Sequence, residues 1–441
     1  MKKIGLISLG CPKNQVDAEL ILAKLKNAGY EIIGEVEGAD CVIINTCGFI
    51  DDAKTEAIET ILTVGEMKKE GKVKKIVVTG CLAQRFQDEV LTQLPEVDAV
   101  VGIGANGDIV SVIERVLSNE KFGIYPDEYC LPLEGDRLLS TPSYMAYLKI
   151  AEGCSNRCSY CAIPYIRGNF RSRPMESIVE EAKALAASGV KEIVIVAQDV
   201  TKYGKDLYKK LALSELLGKL CRIDGIKWIR LLYCYPDSLT DELIEIIAKE
   251  EKICKYIDLP LQHADKQVLR RMRRPGGEDE LLSLIKKLRE KIPDVVIRTT
   301  MIAGFPGETE ENFETLSRFV NEAEFDRLGC FVYSAEEGTP AADFEDQIDE
   351  EVKNHRAEII MQQQYEIFSR KQEAKIGKTF EVLVEGYDES DMLCYGRTYM
   401  DCAEIDSRVI ISGEEELLPG TFVKVRIIAV DNCDLVGEII L

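Results

Sequence analysis

Residues 153–161 read GCSNRCSYC, which spaces Cys154, Cys158 and Cys161 as Cys-x-x-x-Cys-x-x-Cys in one short loop. Three thiolates this close suit a small metal cluster held by a single loop. Zinc normally takes a fourth Cys or His, and the array offers three. Three protein ligands on a four-iron cluster leave one iron open to an outside ligand. The competing reading is a structural cluster or a zinc site.

The loop follows an apolar run at 145–150, the first of six. Further runs at 192–197, 228–233, 256–259, 295–301 and 328–333 alternate with helical patterns near 176–187, 239–249, 279–291 and 310–322. Six βα units predict a barrel or partial barrel. Upstream, strand-like runs at 3–9, 41–45, 75–79 and 98–101, with a weaker one at 31–33, alternate with helical patterns at 14–28, 51–69 and 84–93. That is the βαβ pattern of an open parallel sheet. The stretch 119–143, with Pro126, Pro132, Gly135 and Pro142, reads as a linker. Downstream, a polar helical stretch at 350–375 leads to short β-like runs at 379–384, 409–412, 421–428 and 435–440, which predict a small antiparallel barrel. The expectation is an α/β protein of three units: 1–118, 140–370 and 376–441.

The bulk chemistry narrows the function. The chain has 441 residues, 46% hydrophobic and 30% charged, with a net charge of −22, which argues against a broad electrostatic grip on nucleic acid. No apolar run approaches a membrane span, and the N-terminus enters a strand without the pattern of a signal peptide, so a cytoplasmic protein is expected. Fifteen scattered cysteines, an odd number, do not read as a disulfide framework, and the two histidines, His263 and His355, leave little for an imidazole metal site.

A second set of cysteines is separated in sequence. Cys11, Cys47 and Cys81 each follow a strand-like run and precede a helical pattern. In a parallel sheet those ends lie along one edge, where ligands gather, and helix N-termini favour the thiolate. Each one alone is equally a small buried residue. Three at equivalent positions point to a second cluster. Cys41 reads as core, Cys130, Cys221, Cys234, Cys254 and Cys330 have no ligand-like spacing, and Cys394, Cys402 and Cys433 could meet only through folding, so a third metal site is not expected.

With Tyr160 before its last cysteine, the array resembles the signature of the radical S-adenosylmethionine superfamily. LGCPKN, INTCGF and VTGC, which carry Cys11, Cys47 and Cys81, extend the resemblance to the methylthiotransferase family over nearly the whole chain. The resemblance implies an N-terminal methylthiotransferase domain, a radical domain and a C-terminal TRAM barrel. It also implies two 4Fe–4S clusters and S-adenosylmethionine used both as methyl donor and as radical source. An electron donor such as flavodoxin or ferredoxin is a further expectation. GCPKNQVD, VAQDVTKYG, DLPLQHA and YSAEEGT look like the RimO branch, whose substrate is an aspartate β-carbon of small-subunit ribosomal protein twelve. Ala18 departs from a serine expected in that branch.

Other residues are more ambiguous. Gln198 and Asp199 end a barrel strand and are expected to face the cofactor. Gly304 opens GFPGETEENF, which resembles the family's cofactor-side turn, while Thr309 there reads equally as a helix cap. His263 reads as a loop hydrogen-bonder or a catalytic group, and the run Arg270, Arg271, Arg273 and Arg274 as a solvated face or a contact with ribosomal RNA. No residue is assigned a catalytic role.

Residues 376–441 hold 14 acidic against 5 basic residues, a balance of −9 that includes Glu414, Glu415 and Glu416. A barrel that holds RNA should be basic, and one that docks on a basic ribosomal protein should be acidic. A merely solvated acidic surface gives the same count. The alternatives to the ribosomal substrate are methylthiolation of a tRNA adenosine and a non-catalytic iron–sulfur sensor.

Overall fold

The computed structural model describes residues 1–389, 393–413 and 417–440. The first sheet holds β1 (Lys3–Ser8), β2 (Glu31–Ile33), β3 (Cys41–Thr46), β4 (Ile76–Gly80), β5 (Ala99–Val101) and β6 (Phe122–Ile124), all parallel in the order β2-β1-β3-β4-β5-β6. Strands β3 and β4 are buried along their whole length, as expected where helices cover both faces. Val42 and Ile44 pack on the side of the helix Asp51–Lys69, whereas Cys41 and Ile43 pack towards the helices Pro12–Asn27 and Ile109–Leu117. Cys41 is core, as its sequence position suggested.

Two expectations need correction here. The stretch read as linker contributes β6, whose Phe122–Ile124 registers with Ala99–Val101. Its three residues, with Gly123 in the middle, are too few to show a strand period. The helical pattern at 84–93 is two helices, Cys81–Phe86 and Asp88–Gln93, broken at Gln87 with φ +45°. The break lets the first piece begin at Cys81 on the sheet edge, while Asp88 of the second accepts from Tyr125 Oη at 3.0 Å.

The second sheet starts with β7 (Met145–Lys149). A short antiparallel pair, β8 (Ala151–Glu152) and β9 (Arg171–Ser172), then closes the base of the three-cysteine loop. Next come β10 (Glu192–Val196), β11 (Trp228–Leu231), β12 (Ile253–Asp258), β13 (Val296–Ala303) and β14 (Arg327–Val332). β7 and β10–β14 are parallel, lie side by side in chain order, and leave the sheet open between β7 and β14. This is the partial barrel. Its outer face packs on helices in the largest core, which includes Leu148, Ile195, Ile229, Ile257 and Ile297. No helix among the described residues is long and apolar enough to cross a membrane.

The C-terminal barrel is closed, in the order β15 (Thr379–Asp388), β16 (Leu393–Arg397), β17 (Val409–Ser412), β19 (Asp434–Ile439) and β18 (Phe422–Asp431). It differs from the expected antiparallel barrel in one pairing, since β17 and β19 run parallel. Strand β16 escaped the sequence pattern because Gly396 interrupts it: a Cβ there would stand 2.2 Å from the Leu383 carbonyl oxygen. Met400, Cys402 and Ala403 fill the concave face of the partial barrel against Tyr147, Val194, Trp228 and Tyr256. Buried charges seal the joint. Glu192 accepts from Arg230 Nε at 2.8 Å and from Arg397 Nη2, while Arg327 pairs with Asp401 and Tyr256 Oη donates to Asp406 at 2.7 Å. Removing one partner of such a buried pair typically costs about 3–5 kcal/mol.

Candidate functional site

The first thiol set assembles because β1, β3 and β4 end together. Ser8 registers with Asn45, Asn45 with Thr79 and Thr46 with Gly80. Cys11 caps the helix Pro12–Asn27, Cys47 follows β3 and Cys81 starts its helix. The three turns touch. A Cβ on Gly10 (φ +91°) would stand 2.8 Å from Cys47 Cβ, and one on Gly48 would stand 2.7 Å from Leu82 Cα. Motif amides lock the edge: Asn14 Nδ2 donates to the Leu9 carbonyl at 2.7 Å, Asn45 Nδ2 to the Asn14 carbonyl at 2.8 Å, and Thr46 Oγ1 to the Thr79 carbonyl at 2.6 Å.

Two cations, Lys13 and Arg167, flank this set. Burial works against ionisation of Cys11, but Lys13 and Arg167, with the Asn14 and Lys13 amides, more than offset it and hold the thiol below its usual range. Burial pushes the Cys47 thiol up and the Cys81 thiol up to about 12, against the opposing pull of Arg167. Arg167 Nη2 lies 3.3 Å from Cys81 Sγ.

The second set lies in the loop that β8 and β9 pinch. Cys154 N donates to the Gly168 carbonyl at 3.0 Å and Cys161 N to the Cys158 carbonyl at 3.1 Å. Cys158 is buried, with Arg274 Nη1 at 3.7 Å and Tyr235 Oη at 4.0 Å from its sulfur. Arg274 also stacks 4.2 Å over the Tyr235 ring. Burial pushes the Cys154 thiol up to about 11, raises Cys161, and raises the Tyr160 phenol well above its usual value.

Each set therefore has three soft donors and a facing guanidinium, a donor set that fits an anionic iron–sulfur cluster. Among the described residues no trio of Cys, His, Asp or Glu is placed to hold one metal ion, so the fit rests on donor chemistry and nearby charge. Gln198 lies two residues past β10, donates to Glu152 Oε1 at 2.7 Å and leaves its own Oε1 buried without a partner, so one acceptor is open just beyond the strand. Asp199 is in the loop scaffold. It accepts from Asn156 Nδ2 at 2.9 Å and caps the turn at Thr201, and burial raises its carboxyl. Gly304 (φ +74°) follows β13, and its N–H donates to Glu308 Oε2 at 3.1 Å.

His263 supports that same turn. Its Nδ1 accepts from Asp265 N at 2.9 Å, which places the proton on Nε2, 3.2 Å from Glu308 Oε2. It is fully buried and acts as a loop hydrogen-bonder. Thr309 forms a capping box with Asn312. The arginine run divides: Arg271 pairs with Asp346 at 2.6 Å, Arg274 turns inward to Cys158, and Arg270 and Arg273 are exposed.

A buried charge cluster joins the two sets. Asp17 accepts from Arg167 Nη1 at 2.6 Å and from Lys149, and Glu152 accepts from Lys149 at 2.9 Å and Arg167 at 3.1 Å. All four are at most 2% exposed. On the other side Arg85 and Lys54 share Glu336 at 2.9 and 3.1 Å. Sequence reasoning did not find Lys13 or Arg167, and it read Arg274 as part of a solvated face or an RNA contact, whereas Arg274 is buried against Cys158. Lys13 sits inside a quoted motif, while the other two show their roles only through distant partners.

Residues 3–102 match a family described as "Uncharacterized protein family UPF0004", residues 148–320 match the Radical SAM superfamily and residues 376–440 match the TRAM domain. The chain is 50% identical over 441 residues to the ribosomal protein uS12 methylthiotransferase RimO of Clostridioides difficile, covering 100% of this chain and 99% of that protein. The RimO of Caldanaerobacter subterraneus is 52% identical over 439 residues, covering 99% and 100%. Among solved structures, the radical S-adenosylmethionine methyltransferase TsrM of Kitasatospora setae shares the fold with TM-score 0.56 at 14% identity, covering 77% of this chain and 75% of that one. The cobalamin-dependent radical enzyme OxsB gives 0.52 at 12%, covering 83% and 58%.

Proposed function

This chain belongs to the ribosomal protein uS12 methylthiotransferases, enzymes of the radical SAM superfamily, and from that membership we propose how its residues divide the reaction. The substrate is an aspartate of ribosomal protein uS12, methylthiolated at its β-carbon. Cys154, Cys158 and Cys161 hold one 4Fe–4S cluster, and Cys11, Cys47 and Cys81 hold another. When bound, the clusters and S-adenosylmethionine supply hydrogen abstraction from an unactivated carbon and the methylthio group that replaces the hydrogen.

The chain's own groups prepare that chemistry. Arg274 stands against Cys158 and Arg167 against Cys81, so each anionic cluster meets a fixed guanidinium at one sulfur. Tyr160, Gln198, Asp199 and Gly304 are proposed to shape the cofactor side. The open acceptor of Gln198 suits an ammonium or hydroxyl donor. The buried cluster of Asp17, Lys149, Glu152 and Arg167 fixes the spacing of the two thiol sets and keeps water out of the seam. The observation that carries the reading is the presence of one three-thiol set along the strand ends of the first sheet and another in the loop between β8 and β9, with that buried network between them. A flavodoxin-like or ferredoxin-like protein is the proposed electron donor.

The test is incubation of the reconstituted enzyme with uS12 and, separately, with bulk tRNA under reducing, anaerobic conditions. The expected result is a methylthio mass addition on one aspartate of uS12 and none on tRNA. Methylthioadenosine in tRNA with unmodified uS12 would overturn the substrate assignment.

A further inference from the structure

Lys13 is in a place where a lysine is costly. It is 7% exposed and sits in the first turn of the helix Pro12–Asn27, where the helix end is already positive. The Arg167 charge opposes it as well. Buried ammonium groups are normally paired with carboxylates, as Lys149 is with Asp17 and Glu152. Among the described residues no carboxylate pairs with Lys13. Its neighbours are Cys11 and the face of Tyr233, whose ring centroid is 3.3 Å from Nζ. Tyr233, which also hydrogen-bonds it, and Cys11 together offset its burial, yet neither is a carboxylate.

Its position is also specific. Tyr233 adopts φ +63°, a left-handed conformation rare for an aromatic residue, and its N–H is held by Asp258 Oδ2 at 2.8 Å. Two residues on, Tyr235 Oη lies 4.0 Å from Cys158 Sγ. One short segment therefore touches Lys13 beside the first thiol set and Cys158 of the second. Cys11 and Tyr233 are partly open to solvent, so Lys13 lies just beneath a partly exposed pair between the sets.

We propose that Lys13 is the specificity-determining residue that receives the side-chain carboxylate of the substrate aspartate. The inference rests on the uS12 reading above. In an aspartate the β-carbon is bonded directly to the carboxylate carbon, so gripping the carboxylate beside Cys11 holds the reacting CH2 between the two sets. A nucleobase has no carboxylate and gains nothing from this ammonium. The rival role is a counter-charge to the first thiol set, shared with Arg167.

A double-mutant cycle on reconstituted holoenzyme separates the two roles. Wild type, K13M and K13Q are each titrated with isolated uS12 and with uS12 carrying Asp→Asn at the modified position, and iron per chain is measured alongside. Wild type should bind the aspartate form at least about tenfold more tightly than the asparagine form. K13M and K13Q should bind both forms alike, with wild-type iron content. Undiminished discrimination in both variants overturns the proposal. Iron lost to the same extent in both variants also overturns it, by assigning Lys13 to the cluster. Wild-type enzyme that leaves uS12 unmodified refutes the substrate reading itself; modification without Lys13-dependent discrimination refutes only this inference.

Discussion

At Arg167 one guanidinium holds together two parts of the chain far apart in sequence. It binds Asp17 and Glu152, donates to Asn14 Oδ1 at 3.1 Å and reaches Cys81 Sγ at 3.3 Å. Arg167→Met would leave two buried carboxylates with Lys149 as the one cation paired with them among the described residues, and the loss should be about 3–5 kcal/mol in denaturant unfolding. The same change removes one of the charges that hold the Cys11 thiol below its usual range. Its thiolate fraction should fall, and in metal-free protein near neutral pH Cys11 should be alkylated more slowly than in wild type. Faster alkylation would contradict the electrostatic account. Undiminished stability would show that the buried cluster contributes little to the seam.

Among the elements, strand β10 links the partial barrel to the C-terminal barrel through its first residue. Glu192 is buried; its carboxyl is held below the usual carboxylate range by Arg397 and Arg230, against the opposing effect of burial. A depressed folded pKa gives stability that is present above the ordinary carboxylate range and lost as pH falls through the folded value. Glu192→Gln should therefore cost about 3–5 kcal/mol near pH 7. Its stability should fall less steeply than that of wild type on acidification, as chemical denaturation at a series of pH values would show. Parallel acid profiles for the two proteins would remove Glu192 from the account. Much of this architecture was legible beforehand. The centres of the runs 41–45 and 75–79 are continuously apolar, at 41–44 and 76–78, because helices cover both faces, and Cys11, Cys47 and Cys81 mark strand ends. Strands β6 and β16 were not legible, because short glycine-interrupted strands have no period. Arg274 and Arg167 were hidden for another reason: their partners lie 116 and 86 residues away, so only the tertiary fold shows their work.

Over the whole molecule, charge shapes how a partner is met. The chain carries −22 overall, but the C-terminal barrel spends much of its acid internally. Glu381, Glu385, Asp401, Asp406 and Glu438 face Lys227, Arg397, Arg327, Arg298 and Arg426. Glu414, Glu415 and Glu416 lie outside the described residues. Attraction for a basic ribosomal protein should still weaken as salt shortens the Debye length. Affinity measured from low to high ionic strength should fall, and salt-independent binding would leave the acidic surface as mere solvation.

The central claim is that two thiol sets hold two clusters with separate tasks. Fully reconstituted wild type should hold roughly eight irons. The most direct test is 5′-deoxyadenosine formation from S-adenosylmethionine by reduced Cys158→Ala and Cys47→Ala enzymes, with uS12 methylthiolation followed in parallel. Cys158→Ala should form no 5′-deoxyadenosine. Cys47→Ala should continue to form it while methylthiolating nothing. Wild-type 5′-deoxyadenosine production by Cys158→Ala, or methylthiolated uS12 from Cys47→Ala, would contradict the account.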